Sequence, residues 1–172
     1  LILTLSMAMA PAGTAGTTLD ARAKPTVWLD PMRINGTEVG QLINVSVMVN
    51  SPDIPVWVYV AGISFDNTVI NCTALGDGTF FAGKETMGFI AGPIHNDQGY
   101  VYHSTQTLRA PEPTGVTGTG QLMWFTFKVI AAGISDLHLE DVQIGELVGM
   151  DIVMADANLV DVYTATVGGV RY

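Results

Sequence analysis

The chain has 172 residues, of which 13% are charged and 48% hydrophobic, and its formal net charge is −9 at pH 7. That length suits one domain with a sizeable core and at most a small appendage. The acidic balance argues against a nucleic-acid partner, which needs a basic surface. Because ordinary globular proteins carry about 25% charged residues, we expect Thr, Ser, Asn and Gly to cover much of this surface.

The first ten residues are strongly apolar, and two interpretations of them compete. A secretory signal remnant would show an apolar run followed by small residues, as here around residues 8–12. A β-strand would show the strict alternation that places five larger side chains on one face, namely Leu1, Leu3, Leu5, Met7 and Met9. Ten residues are too few for a membrane-spanning helix, which takes about 20. Residues 11–24 are rich in Gly, Thr and Ala, which predicts a flexible linker and a folded domain from Pro25.

The sequence of the first half of the domain predicts a series of short strands. Residues 26–30 predict a strand, and a turn follows at Asn35 and Gly36. Residues 41–50 alternate, which places four β-branched side chains inward: Ile43, Val45, Val47 and Val49. We expect 51–55 to form a loop, since its two prolines cannot donate to a ladder. Residues 56–65 are apolar on both faces, which indicates a strand that is covered on both sides or lies at an assembly contact.

The second half continues the same pattern. Strands are predicted over 69–75, 87–90 and 99–108, followed by a loop over 110–120. The clearest strand lies within 118–133, where four alternating side chains should face the core: Met123, Phe125, Phe127 and Val129. A further strand with a bulge is indicated by Leu137, Leu139, Val142 and Ile144, and 159–167 with 170–172 should close the sheet. Many short strands without an amphipathic helix predict an all-β sandwich or jelly roll.

The order of these segments carries a family resemblance. The matching segments are 26–31, 39–47, 63–66, 69–73, 99–102, 118–127 and 131–133 with Leu137 and Leu139. Together they resemble the cohesin domain, especially the cohesin-like modules of archaeal secreted proteins, over nearly all of 25–172. The resemblance implies a jelly-roll β-sandwich of about nine strands. Cohesins proper bind dockerin modules in cellulose-degrading assemblies, but their contact surface has no short signature, and fold alone does not assign a role.

The N-terminal segment has no counterpart in the cohesin fold. An alternating strand on a tether resembles the donor strand of pilus-like fibres, which inserts into a neighbouring subunit's sheet. The acceptor groove would then lie along the strand that is apolar on both faces, at Val56, Trp57, Val58, Tyr59 and Val60. The first hypothesis is therefore a non-enzymatic extracellular subunit that polymerises with copies of itself into a cell-surface filament by donor-strand complementation. The alternative is a cell-surface binding module for dockerin-type proteins or carbohydrate, with residues 1–12 a signal remnant.

Three N-x-S/T sequons begin at Asn35, Asn44 and Asn71. Three in one small domain of extracellular character predict N-linked glycans at one or more of them. Asn44 falls on the polar face of its strand and Asn35 in a turn, so we expect both to be better acceptors than Asn71, whose neighbours look half-buried.

The search for chemistry gives no catalytic pattern. His95, His103 and His138 lie in separate segments, and no metalloprotease, nucleophile-elbow or phosphate-loop motif occurs. The single cysteine, Cys72, is expected to be a buried apolar side chain. No catalytic residue or resident metal is expected.

Two binding possibilities remain open. The spacing of Asp151, Asp156 and Asp161 does not fit an EF-hand loop, although loop carboxylates at Asp77, Asp97 or Asp151 leave a calcium ion conceivable. A sugar-stacking platform could be built from aromatic residues, namely Trp28, Trp57, Trp124, Tyr100 and Tyr102, although a core or subunit contact is the commoner role for such residues.

Overall fold

A computed structural model describes residues 22–110, 114–148, 151–155, 161–163 and 165–168. Within those ranges the chain forms thirteen β-strand segments and no helix. In chain order they are β1 (Thr26–Asp30), β2 (Arg33–Asn35), β3 (Leu42–Val56), β4 (Val58–Ser64), β5 (Ile70–Asp77), β6 (Thr86–Ile90), β7 (Ile94–His95), β8 (Tyr100–Leu108), β9 (Val116–Val129), β10 (Ile134–Val148), β11 (Asp151–Ala155), β12 (Asp161–Tyr163) and β13 (Ala165–Gly168).

The strands form two sheets that pack face to face. One sheet has the order β12-β1-β3-β9-β5, and the other has the order β2-β13-β10-β4-β8-β6, with β11 on β10 and β7 on β8. The predicted jelly-roll β-sandwich is confirmed. The strand segments outnumber the nine expected because short pieces such as β2, β7 and β12 add to the long strands.

The core lies between the sheets and follows the predicted alternation. The predicted inward residues of β3 and β9 are all buried: Ile43, Val45, Val47, Val49, Met123, Phe125, Phe127 and Val129. The facing sheet contributes Tyr59, Ala61 and Ile63 from β4 with Leu137 and Ile144 from β10. The ring of Phe127 packs edge-on against Phe65 at 5.2 Å between centroids. A period of two therefore positions both inner faces.

The expected loop over 51–55 is wrong, because β3 runs through it to Val56. The pairing of β3 with β9 jumps from Ser51–Gly118 to Val56–Val116, so residues 52–55 have no partner on β9. Pro52 and Pro55 sit in that interruption, where a missing N–H breaks no ladder bond. The hydroxyl of Ser51 donates to the carbonyl of Ile54 at 2.5 Å and closes the bend.

Other boundaries also differ from the sequence prediction. The expected loop over 110–120 ends earlier, since β9 begins at Val116. The strand predicted over 69–75 extends further, since β5 runs from Ile70 to Asp77. The turn expected at Asn35 and Gly36 begins one residue later: Asn35 ends β2, and the bend falls at Gly36 with a φ of 70°.

The predicted bulge in β10 is confirmed. Its pairing with β4 shifts between Glu140 and Gln143, and Asp141 within the shift has a φ of 49°. Asp is one of the few residues with a side chain that adopts this left-handed conformation readily.

Candidate binding face

The outer face of the eight-stranded sheet has a gap at Gly62, in the middle of β4. On one side β8 shifts register between the partners of Ala61 and Ile63, and on the other side β10 carries the bulge at Asp141. A side chain at position 62 would bring its Cβ to 3.0 Å from the carbonyl oxygen of Val101, so glycine keeps the floor open. The result is a cleft of about 290 Å³ lined by Gly62, Ser64, Tyr100, Val101, Tyr102, His103, Glu140 and Asp141.

Two polar contacts fix the walls of this cleft. The Nε2 atom of His103 lies 2.7 Å from Oδ2 of Asp141, which joins β8 to β10 across β4. Beside it, the hydroxyl of Ser64 donates to Oε1 of Glu140 at 2.6 Å. Both contacts are exposed, so each contributes little to folding stability. Their main effect is to fix the orientation of two carboxylates that line the cleft.

Aromatic rings line the β8 side of the cleft. Ring centroids lie 4.7 Å apart between Tyr100 and Tyr102, 5.3 Å apart between His95 and Tyr102, and 6.1 Å apart between Tyr102 and His103. A hydrogen bond with the side chain of Tyr102 raises the pKa of Tyr100 above its ordinary value. Tyr102 is 46% exposed at the surface of this cluster. The four rings form a partly exposed cluster of mostly edge-to-face contacts with polar edges.

Exposed apolar side chains continue the surface toward β6, the edge strand of the sheet. Met87 and Ile90 on β6 are 73% and 63% exposed. Ile90 pairs with Thr105 on β8, and Thr105 pairs in turn with Val60 on β4. The outer face of β10, β4, β8 and β6 thus combines a cleft, an aromatic cluster and apolar side chains; we call it the cleft face.

Sequence reasoning identified only part of the cleft face. The sequence grouped Tyr100 and Tyr102 with three tryptophans as candidates for an aromatic platform. It gave no reason to join the tyrosines to His103, Glu140 and Asp141. His103 and Asp141 are 38 residues apart and meet only because β8 and β10 flank the same strand. Of the other two histidines, His95 packs on the tyrosines and His138 is exposed on β10.

The proposed acceptor-groove residues lie along the end of β3 and the first part of β4. Val56, Trp57 and Tyr59 belong to the core, with Tyr59 donating its hydroxyl to the carbonyl of Leu122 at 2.7 Å. Val58 is buried, and Val60 is half-buried on the cleft face. Strand β4 is paired on both sides, with β10 and β8, so an inserted strand would have to displace one of them. The groove stays a prediction, as does the donor strand, because Leu1, Leu3, Leu5, Met7 and Met9 lie outside the described residues.

The predicted domain boundary at Pro25 is likewise untested, although two residues before it contact the sandwich. The guanidinium of Arg22 donates to both carboxylate oxygens of Glu146 on β10, at 2.6 and 2.8 Å. The backbone N–H of Ala23 donates to Oδ2 of Asp53 at 2.7 Å. Most of the predicted linker, residues 11–21, lies outside the described ranges.

The sequons occupy three different strands. Asn35 and Asn44 are exposed, and Asn71 is half-buried. The Oδ1 atom of Asn44 accepts from the hydroxyl of Thr126 at 2.7 Å, so the amide nitrogen, where a sugar would be attached, stays free of that bond. Glycosylation at these positions remains a prediction.

The structure bears on the metal hypothesis and on the aromatic-platform hypothesis in different ways. Among the described residues, no three His, Cys, Asp or Glu side chains lie close enough to hold a metal ion. Asp77 accepts from Gln106 at 2.8 Å, Asp97 is exposed, and the side chain of Asp151 is outside the described set, so calcium remains untested. Trp57 is buried, which removes it from any surface platform, whereas Trp28 and Trp124 are half-buried on the outer face of the other sheet.

Comparison with known proteins identifies solved structures that share this fold. The sequence matches no protein-family profile and no curated protein. Among solved structures, the seventh ScaB type I cohesin of Pseudobacteroides cellulosolvens aligns with a TM-score of 0.63 at 17% identity, over 87% of this chain and 94% of that one.

The chain has the cohesin fold. A non-cellulosomal cohesin from the hyperthermophilic archaeon Archaeoglobus fulgidus aligns with a TM-score of 0.62 at 19% identity, over 87% of this chain and 93% of that one. The third ScaC cohesin of Acetivibrio cellulolyticus, solved in complex with the ScaB dockerin, aligns with a TM-score of 0.62 at 11% identity, over 86% and 99% of the two chains. In the described residues of the present chain, no helix could cross a membrane.

Proposed function

We propose that this chain is a non-enzymatic extracellular module that binds another protein through the cleft face. Support comes from its similarity in fold to cohesins, one of which was solved with a dockerin bound. That similarity favours the binding-module hypothesis over the filament-subunit hypothesis. At identities this low, structural similarity supports the fold only. The binding surface is therefore inferred from this chain's own residues.

The observation that carries the proposal is the grouping of aromatic and apolar side chains around the Gly62 cleft. Tyrosine dominates the energetics of protein interfaces because it buries a large rigid area and keeps a polar tip. Tyr102 is half exposed here, and Met87 and Ile90 extend the apolar area to the sheet edge. β-Strands hold the backbone of all three, so little backbone entropy is lost when a partner binds.

The charge of the cleft restricts the partner's chemistry. Glu140 and Asp141 place two carboxylates in the lining of the cleft, and the chain as a whole carries a net charge of −9. We therefore expect the partner to present a Lys, Arg or N–H donor to the cleft. Apolar residues of the partner should surround that donor.

A binding titration with dockerin modules tests the proposal. Isothermal calorimetry of the full chain against a panel that includes the ScaB-type dockerin should give saturable binding with at least one module. Tyr102→Ala should weaken it by tenfold or more, while Trp28→Ala, on the opposite sheet, should leave it unchanged. Equal affinities for wild type and Tyr102→Ala, or no binding to any module, would reject the cleft face as the dockerin site.

The filament hypothesis rests on the alternation of residues 1–10 and on the flexible composition after them. It requires a homopolymer, for which the cohesin similarity gives no support. It remains a separate proposal, and the truncation described in the Discussion tests it.

A further inference from the structure

A second concavity lies on the opposite side of the sandwich, on the outer face of the five-stranded sheet. Its volume is about 340 Å³, and it is lined by Thr26, Trp28, Met32, Asn50 and Thr119. The register of β1, β3 and β9 puts Thr26, Asn50 and Thr119 side by side in one row. Trp28, two residues along β1, points to the same face because Val27 and Leu29 face the core.

The lining offers hydrogen-bonding groups without charge. The hydroxyl of Thr119 donates to Oδ1 of Asn50 at 2.9 Å, which fixes the orientation of the Asn50 amide. Within the described residues, the Asn50 amide nitrogen and the Thr26 hydroxyl have no side-chain partner. None of these five described residues is ionisable, although a charged position adjoins them in register, namely Asp161 on β12, which pairs with Thr26.

The same uncharged chemistry continues along β3 and β9. Nε2 of Gln121 donates to the hydroxyl of Ser46 at 2.6 Å, and the hydroxyl of Thr126 donates to Oδ1 of Asn44 at 2.7 Å. These cross-strand hydrogen bonds hold the polar groups of this part of the face in fixed positions. A negatively charged ligand would find no counter-charge among the described lining residues and would lose hydration on entry.

We propose that this pocket binds a neutral hexopyranose ring of a polysaccharide chain. A pyranose has one apolar C–H face and a rim of hydroxyl groups, which matches an indole ring beside uncharged donors and acceptors. Trp28 supplies the stacking surface, and Asn50, Thr119 and Thr26 bond the sugar hydroxyls. Trp57 is buried in the core and the tyrosine pair lies on the cleft face, so Trp28 is the aromatic residue among the described lining residues of this pocket. The site adds a glycan contact to the protein contact of the cleft face.

Titration of the full chain with neutral oligosaccharides tests this site. Cellohexaose and mannohexaose are the neutral probes, and trigalacturonate is the charged counterpart, with binding followed by calorimetry and tryptophan fluorescence. At least one neutral hexaose should bind saturably and trigalacturonate should not. Trp28→Ala should weaken binding about tenfold or more, and Trp28→Phe should retain most of it because a stacking ring remains.

Controls separate a lost contact from a lost fold. Asn50→Ala and Thr119→Val leave Trp28 in place and should also weaken binding, with the melting temperature recorded for each variant. Tyr102→Ala, on the cleft face, should bind the sugar as wild type does. Failure of wild type to bind either neutral hexaose, equal binding by Trp28→Ala, or equal binding of trigalacturonate would each overturn the proposal. Because the two sites lie on opposite faces, a negative dockerin titration leaves this test intact.

Discussion

His103 on β8 and Asp141 on β10 meet across the strand between them, with Nε2 and Oδ2 2.7 Å apart over the gap at Gly62. The pair is exposed, and Asp141 occupies a left-handed backbone conformation. Side-chain-bearing residues in this sparsely populated conformation are found disproportionately at functional sites. The pair thus shapes the cleft at little gain in stability.

A double-mutant cycle tests whether the His103–Asp141 pair contributes little to folding stability. His103→Ala and Asp141→Asn should couple by about 0.2–1 kcal/mol in the free energy of unfolding, because solvent screens the pair. Asn is chosen since it also tolerates a positive φ. Urea unfolding of the two single variants and the double variant gives the coupling. A value above about 2 kcal/mol would show that the pair holds the sheet together.

Phe127→Ala should be severely destabilising, by about 3–5 kcal/mol, because the side chain is fully buried and packs on Phe65. The matched control is Thr126→Ala, next to it on β9 but on the outer face, which should cost about 1 kcal/mol or less. Chemical denaturation of both variants checks the difference. Equal stabilities would mean that the register of β9 is wrong.

The Cys72 thiol should be inert in the folded protein. It is buried, and burial raises its pKa from 9.0 to about 11. A thiol reagent at pH 8 should therefore label denatured protein fully and native protein very slowly, and with one cysteine per chain the stoichiometry is unambiguous. Rapid labelling of native protein would contradict this burial.

The same shift predicts a pH effect on stability. The folded state holds the thiol proton more tightly than the unfolded state does. The contribution of the neutral thiol to folding stability is therefore complete below pH 9 and is lost as the pH rises toward 11. Cys72→Ala, compared with wild type in denaturation at pH 8 and pH 10.5, should lack that part of the decline.

Glycosylation should raise the mass of native-source protein above 18.3 kDa by sugar-sized increments. Asn35 and Asn44 are exposed and should be used ahead of the half-buried Asn71. Intact-mass spectrometry with Asn44→Gln as comparison identifies the sites. A native mass equal to the bare polypeptide would remove the prediction.

Deletion of residues 1–10 tests donor-strand assembly. If those residues insert into a neighbour, their loss should abolish polymers and leave a less stable domain, since each buried apolar side chain contributes roughly 1.5–3 kcal/mol before ordering costs. Electron microscopy and light scattering compare the truncated and full chains. Filaments formed by the truncated chain would rule out the hypothesis.

The alternation of side chains was sufficient to predict the fold class and much of the core. Residues 43–49 and 123–129 alternate without interruption in the sequence, and their inward side chains are all buried. Local periodicity predicts burial there because successive side chains of a regular strand point to opposite faces. Once one face packs in the core, every second side chain is buried.

Tertiary structure decided the positions where that periodicity breaks. Leu122 and Met123 are adjacent yet both buried, because β9 shifts register against β3 at that point. The prolines at 52 and 55 looked like the end of a strand, but they lie in an unpaired interruption of one that continues.

The candidate sites depend on such non-local pairings. Gly62, His103 and Asp141 converge because two register shifts flank the same central strand, and Thr26, Asn50 and Thr119 align because β1, β3 and β9 are neighbours. Composition and alternation determine which face of a strand is buried. Which outward side chains become neighbours depends on strand order and on bulges, which are set by pairing between distant segments of the chain.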